Sequence, residues 1–216
     1  MKRDLSVIEK YFDLNDRQRE RMTALKDIYA RWNARINLIS RKDFDFFYER
    51  HVLHSLAIAK FIRFLPDSGI LDVGTGGGFP GIPLAVFFED VRFHLIDSIG
   101  KKIRAVGEIA RELQLENVTW EQTRVENHRK KYDFVVSRAV TRMDKFVQWT
   151  GKNIKSESRH NIPNGIIYLK GGDLTGELAA FPQAKVISVS NFFNEAFFET
   201  KKIVYLPYAV MTTKKK

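Results

Sequence analysis

The stretch "ILDVGTGGGFPGIPLA" (70–85) limits the fold more than any other part of the chain. Its first four residues read as a strand. Five glycines follow within the eight residues 74–81, and Pro80 and Pro83 stand where a helix should begin. Glycine reaches positive φ without a Cβ clash and lets a ligand approach the backbone closely. Proline lacks an N–H, so it is best placed in a helix's first turn, where that group would be unpaired anyway. The pattern is therefore strand, bare turn, helix, with the free N–H groups and positive dipole end of the helix facing the turn. In an open α/β sheet such a turn lies at the carboxyl end of a strand, where ligands bind.

The flanking pattern agrees. "GILDV" (69–73), "VRFHLID" (91–97), "NVTWEQ" (117–122), "YDFVVS" (132–137) and "NGIIYLKGG" (164–172) read as strands, and 100–115 reads as a helix between two of them. Strands alternating with helices imply right-handed crossovers and a parallel sheet covered on both faces. "AKVISVS" (184–190) and "KKIVYLP" (201–207) read as a closing antiparallel pair. Upstream, 16–39 reads as a helix capped by Asp16, and about 43–64 as a second one. Trp32, Tyr29 and Phe47 fall on apolar faces and are expected in the core, and His51 and His54 are expected to pack or hydrogen-bond. The expected division is a helical N-terminal extension over 1–66 and a doubly wound, mostly parallel α/β domain over 67–216. Two segments, 151–165 and the terminal "TTKKK" with Lys214, Lys215 and Lys216, read as loose.

The glycines match G-x-G-x-x-G in the frame Gly76, Gly78, Gly81, two residues past the apparent strand end. The frame starting at Gly74 sits directly after the strand but puts Phe79 where a dinucleotide site would have its third glycine. The turn alone does not choose among nucleotides. Asp97 ends the second strand, at the spacing expected of an acid that accepts hydrogen bonds from ribose hydroxyls; the alternative is a helix cap. Asp72 is expected to orient the loop through backbone N–H groups. Gly78 is expected to be barred from carrying a side chain by close approach of the cofactor.

The net charge is +10, from 36 Lys and Arg against 26 Asp and Glu, which favours a polyanionic partner such as nucleic acid. No apolar run approaches the roughly 20 residues needed to cross a bilayer, and the N-terminus has no signal-peptide pattern. The chain has no cysteine. A soluble cytoplasmic protein, with a monomer favoured, is the expectation. The five histidines show no H-E-x-x-H spacing, so no metal site is expected.

"WNARINLIS", "RHVLHSLAIAKF", "ILDVGTGGGFPGIPLA", "LIDSIGKKI", "RVE", "SRAV" and "LKGG" occur in that order between about Trp32 and Gly172. Together they resemble the bacterial small-subunit ribosomal RNA methyltransferase G family, also called glucose-inhibited division protein B. The resemblance implies a class I, Rossmann-like, S-adenosylmethionine-dependent enzyme that methylates N7 of one guanine in small-subunit (16S) ribosomal RNA. It implies cofactor contacts from Gly74 and Phe79, with Gly76 and Gly78 in the same loop, from Val125 and Glu126 of "RVE", and from Arg138 of "SRA". The sequence departs from the family at Gly77, where some relatives have Ala or Pro. His54 and Ala57 leave no acid beside Ser55.

Methylation at N7 removes no proton, so no general base is expected and catalysis rests on alignment and electrostatics. Arg138, at a strand end on the rim of the glycine loop, is the expected positioning residue: its planar fork always carries charge and cannot act as a base. Lys101, Lys102, Arg104, Arg124, Arg142 and Lys170 are candidates for holding RNA. Two other readings share the glycine loop: a nicotinamide oxidoreductase, and a non-catalytic RNA- or ribosome-binding protein. The closing antiparallel pair argues against the first by analogy of fold.

Overall fold

The computed structural model describes residues 4–208. Seven strands form one sheet in the order β3-β2-β1-β4-β5-β7-β6. They are β1 (Gly69–Val73), β2 (Arg92–Asp97), β3 (Val118–Gln122), β4 (Phe134–Arg138), β5 (Gly165–Gly171), β6 (Lys185–Ser188) and β7 (Lys201–Pro207). The first five run parallel, and β7 is antiparallel to both β5 and β6. The strand order turns back between β1 and β4, so the carboxyl ends of β1, β2 and β4 define the switch point at which such sheets bind ligands.

The helices are α1 (Ser6–Glu9), α2 (Asp16–Asn33), α3 (Arg41–Phe44), α4 (His54–Phe61), α5 (Gly81–Phe87), α6 (Gly100–Glu112), α7 (Met143–Thr150) and α8 (Thr175–Leu178). Helix α2 is capped by Asn15, not by Asp16. The Asn15 side chain accepts from the Gln18 N–H at 2.8 Å while the Gln18 side chain accepts from the Asn15 N–H at 3.0 Å. That reciprocal pair satisfies two otherwise orphaned donors, which Asp16, one residue inside, does not do. The single helix expected over 43–64 is broken. It contains α3, a π-helical stretch Phe47–Leu53, and then α4. Wide π turns shift the residues that follow around the axis, and here the stretch carries Arg50 and His51.

Alternation along β2 divides the interior. Phe93 and Leu95 join a core with Val106 and Ile109 of α6, and this same core takes in Met22, Leu25 and Tyr29 of α2 and Leu56 and Ile58 of α4. The N-terminal helices thus share their apolar interior with the sheet. On the other face, Leu71, Ile96, Val135 and Tyr168 pack with Met143 and Phe146 of α7. The segment 151–165, read from sequence as loose, is pinned. Buried Asn153 donates to the carbonyls of His128 and Lys130, and Ile154 bridges to Tyr132. Lys214, Lys215 and Lys216 lie outside the described residues.

Candidate active site

The glycine loop leaves β1 at Val73 and enters α5 at Gly81. Gly74, Gly76 and Gly78 have φ of 65°, 57° and 93°, which makes them the conformationally required glycines. Gly81 has a different role: a Cβ there would meet the Asp72 carboxylate at 2.7 Å and Leu95 at 2.8 Å, so it permits close packing of helix on strand. A Cβ on Gly74 would meet the side chain of Val140 at 2.5 Å, while one on Gly76 would have only the Gly74 carbonyl near it, at 3.9 Å. At Gly78 the fold supplies a reason of its own. A Cβ would strike Ile82 at 2.7 Å and the Tyr29 hydroxyl at 2.9 Å, so the protein itself excludes the side chain.

Two carboxylates hold the loop. Buried Asp72 accepts from the Thr75 hydroxyl at 2.6 Å and from the Gly81 N–H at 2.9 Å, while its other oxygen is buried without a partner. The expected orienting role is present, with one backbone donor and one hydroxyl. Burial pushes this carboxyl up to about 7, against the pull of Thr75, the Gly81 N–H and Arg138. Asp97 accepts from the Gly76 N–H and from the Ile99 N–H, each at 2.8 Å. Each carboxylate oxygen has a second lone pair, so Asp97 can pin the loop and still accept from a ribose. Helix α6 starts beyond it, with Ile99 at its N-cap and no side-chain cap.

Arg138 ends β4 on the same rim. Its guanidinium donates to the Arg50 carbonyl at 3.2 Å and to His51 Nδ1 at 3.0 Å, and lies 5.0 Å from the centre of the Phe79 ring. Burial lowers its pKa to about 10, partly offset by Asp72, so it stays charged at neutral pH. The bond to His51 fixes a tautomer. A guanidinium only donates, so Nδ1 must accept and Nε2 must carry the hydrogen. That Nε2–H is buried and has no partner, and Arg50 Nε and His54 Nε2 are likewise buried and unpaired. All three residues line a cavity of about 410 Å³ beside Arg138 and Lys170. Burial, then Arg138, push the His51 imidazole down to about 3, so it is a neutral donor over the physiological range. Each is a buried polar group without a partner, an exception to the usual pairing of buried polar atoms.

Residues 18–204 match the model of the family described as rRNA small subunit methyltransferase G. The chain belongs to that family. It is 53% identical over 201 residues to the ribosomal RNA small subunit methyltransferase G of Flavobacterium psychrophilum, covering 93% of this chain and 96% of that one. To the protein of the same name from Bacteroides thetaiotaomicron it is 51% identical over 203 residues, covering 93% and 98%. Among solved structures it resembles magnesium protoporphyrin IX methyltransferase from Synechocystis with bound SAM, with a TM-score of 0.54, 15% identity and coverage of 90% and 98%. A SAM-dependent methyltransferase from Aquifex aeolicus gives a TM-score of 0.54 at 16% identity, covering 70% and 88%. These two likenesses are of fold: the class I methyltransferase architecture.

In this methyltransferase G chain the remaining expected site residues divide. Val125 is buried and Glu126 exposed in the turn after β3, and the Thr123 N–H donates to the Asp97 carbonyl at 3.1 Å, which ties that turn to the loop rim. The Phe79 ring is buried against Tyr29, Phe47 and His51, so only its backbone borders the loop. Lys101 and Arg124 are exposed and Lys102 half-buried, with no ion pair among the described residues. Arg142 is exposed, 3.7 Å from Asp144. Lys170 is placed differently from the others. It is half-buried, 2.6 Å from Glu177, and donates to the Thr141 carbonyl at 2.9 Å, so it braces the loop after Arg138. In that loop Ala139 has a φ of 54°, a strained conformation for a residue with a Cβ. Tyr29 is the participant that its sequence context hides: from α2 its hydroxyl donates to the buried Gly77 carbonyl at 2.6 Å.

Proposed function

We propose that this methyltransferase modifies N7 of a guanine in small-subunit ribosomal RNA, with Arg138 and His51 holding the target base. S-adenosylmethionine, when bound, supplies a methyl group activated by its sulfonium charge. The bare loop at Gly74, Gly76 and Gly78 fits that cofactor's backbone-hugging half, and Asp97 fits its ribose. Val125 and Glu126 flank the same rim. N7 carries a lone pair and no proton, so the chain has only to align the base and tolerate positive charge moving onto it.

The observation that carries the reading is the orphaned His51 Nε2–H beside the Arg138 fork. Guanine presents the O6 acceptor beside N7, whereas adenine presents an amino donor at that place, so donors aimed at O6 select guanine and leave the N7 lone pair free for transfer. A neutral imidazole donor next to a guanidinium therefore favours guanine, and does so without a base. Exposed Lys101, Arg124 and Arg142 and half-buried Lys102 are proposed to meet phosphates around the rim, while Lys170 supports the Arg138 loop. The test is mass spectrometry of nucleosides from small-subunit RNA incubated with the protein and isotopically labelled S-adenosylmethionine. Label in 7-methylguanosine is expected. Label in any other nucleoside would overturn the proposed target.

A further inference from the structure

His94, Glu121 and His128 come from two strands and a turn, and no spacing in the sequence links them. The register of β2 on β3 places His94 opposite Thr119, and the chain then returns His128 against Glu121. His94 Nε2 lies 3.3 Å and His128 Nδ1 3.2 Å from Glu121 Oε2, and the three donor atoms all fall within 4.8 Å of one another. We propose that these three side chains form a binding site for a divalent transition-metal ion, zinc being the best match, separate from the cofactor rim.

The argument rests on the far side of each ring. His94 Nδ1 is 2.8 Å from Thr119 Oγ1, and that hydroxyl donates onward to the Phe93 carbonyl at 3.4 Å. In the tautomer with its hydrogen on Nδ1, His94 donates to that hydroxyl and turns the Nε2 lone pair to the Glu121 carboxylate, an arrangement that a cation between the two completes; in the other tautomer Nε2–H donates to Glu121 and the cluster is a hydrogen-bond network. His128 repeats the pattern, with Nε2 bonded to the Tyr132 hydroxyl at 2.9 Å and Nδ1 turned to Glu121. An outer hydrogen bond on each imidazole, inner nitrogens converging on a carboxylate, is the supporting arrangement that metal-ligating histidines show. Zinc–nitrogen bonds of about 2.0–2.1 Å put neighbouring ligands of a tetrahedral ion about 3.3 Å apart, which both His–Glu separations match. Two imidazoles and one carboxylate suit zinc and its neighbours above magnesium or calcium, which prefer all-oxygen sets. Buried His128 and half-buried His94 close the inner side, and half-exposed Glu121 leaves a fourth position open to water. Lys130 and Lys152 are the cations that act on this site and oppose the ion. The consequence is local: an ion would staple the ends of the turn 121–128, which carries Val125 and Glu126.

The test uses the full chain without a histidine tag, stripped by a chelator and titrated with zinc alone in competition with a chromophoric chelator. One equivalent is expected, with no competition from magnesium or calcium. Cobalt(II) in its place should give the intense visible bands of a tetrahedral ion. Glu121→Gln, which keeps the shape and an acceptor, and His94→Gln should each weaken zinc at least about tenfold, with circular dichroism confirming their fold. The cobalt spectrum of the unsubstituted chain tests the site even where a variant does not fold. Absence of a stoichiometric site, a weak octahedral-type cobalt spectrum, or zinc binding unchanged in both variants would each reduce the cluster to a hydrogen-bond network and overturn the proposal.

Discussion

Removing one oxygen atom, in Tyr29→Phe, isolates what the helical extension does for the cofactor loop. The ring is fully buried and packs with Phe47 and Phe79 at centroid distances of 5.2 and 5.0 Å, and phenylalanine keeps those contacts. What is lost is the 2.6 Å bond to the Gly77 carbonyl. Gly77 is buried, so its acceptor gains no water in exchange. Stranding a buried acceptor costs about 1–3 kcal/mol. For a chain of this size that corresponds to a fall in melting temperature of roughly 2–4 °C per kcal/mol, so about 2–12 °C. The loop must also be ordered by the cofactor rather than in advance, and about 1.4 kcal/mol of that cost weakens affinity tenfold. Thermal melts and calorimetry with S-adenosylmethionine measure the two quantities. A Tyr29→Phe protein that melts with the parent and binds the cofactor equally well would refute the claim that α2 preorganises the loop.

Gly78→Ala forces a side chain into a backbone with φ of 93° and against Ile82, so stability should drop by about 2 kcal/mol or more, read as a lower melting temperature; a normal melt would show that the loop relaxes freely. Arg138→Lys keeps the charge but not the fork, and single-turnover methyl transfer should fall far more than thermal stability; a near-normal rate would remove the positioning role. Asp72 titrates near 7 when folded and near 3.9 when unfolded, so the folded state holds the proton between those values. Its contribution to stability is therefore present below about pH 4 and lost as pH rises to about 7. The stability difference between parent and Asp72→Asn should shift across that window, and a flat difference would contradict the raised value. RNA affinity should fall steeply with salt, and replacing Lys101 and Lys102 by alanine should flatten the log–log slope by up to about 2 if each meets a phosphate; an unchanged slope would place the RNA track elsewhere.

The strands, the glycine loop, Asp97 and Arg138 were legible because each rests on a local signal: apolar runs of strand length, turn chemistry, or a polar residue at a strand's carboxyl end. His51 and Tyr29 had no such mark. Both sit in apolar helical patterns, and their polar atoms matter only because tertiary packing brings α2 and the π-helical stretch onto the rim. The break in the helix expected over 43–64 was invisible because a π-helical stretch of seven residues is too short to impose a periodicity of its own on the apolar pattern. Lys170 read as a strand-end cation for holding RNA, since Glu177 reaches it only through the fold of the segment that follows β5. The His94, Glu121 and His128 cluster depends on strand register, which fixed-spacing motifs do not encode. Gly78 was singled out for a ligand's approach; that a Cβ there would also strike Ile82 and the Tyr29 hydroxyl depends on tertiary packing and left no mark in the sequence.

Strand β7, the last strand among the described residues, lies inside the sheet, between β5 and β6. During synthesis β5 is therefore complete well before its partner leaves the ribosome. Its Ile166, Ile167 and Tyr168 are buried in the finished protein, and until Lys201–Pro207 emerge its hydrogen-bonding edge is unpaired. An open apolar edge invites pairing with other chains. A message cut short before residue 201 would yield a product that retains the glycine loop, Asp97 and Arg138 yet carries a sticky β5 edge. The pairing of β5 thus waits for a strand made after the glycine loop, Asp97 and Arg138.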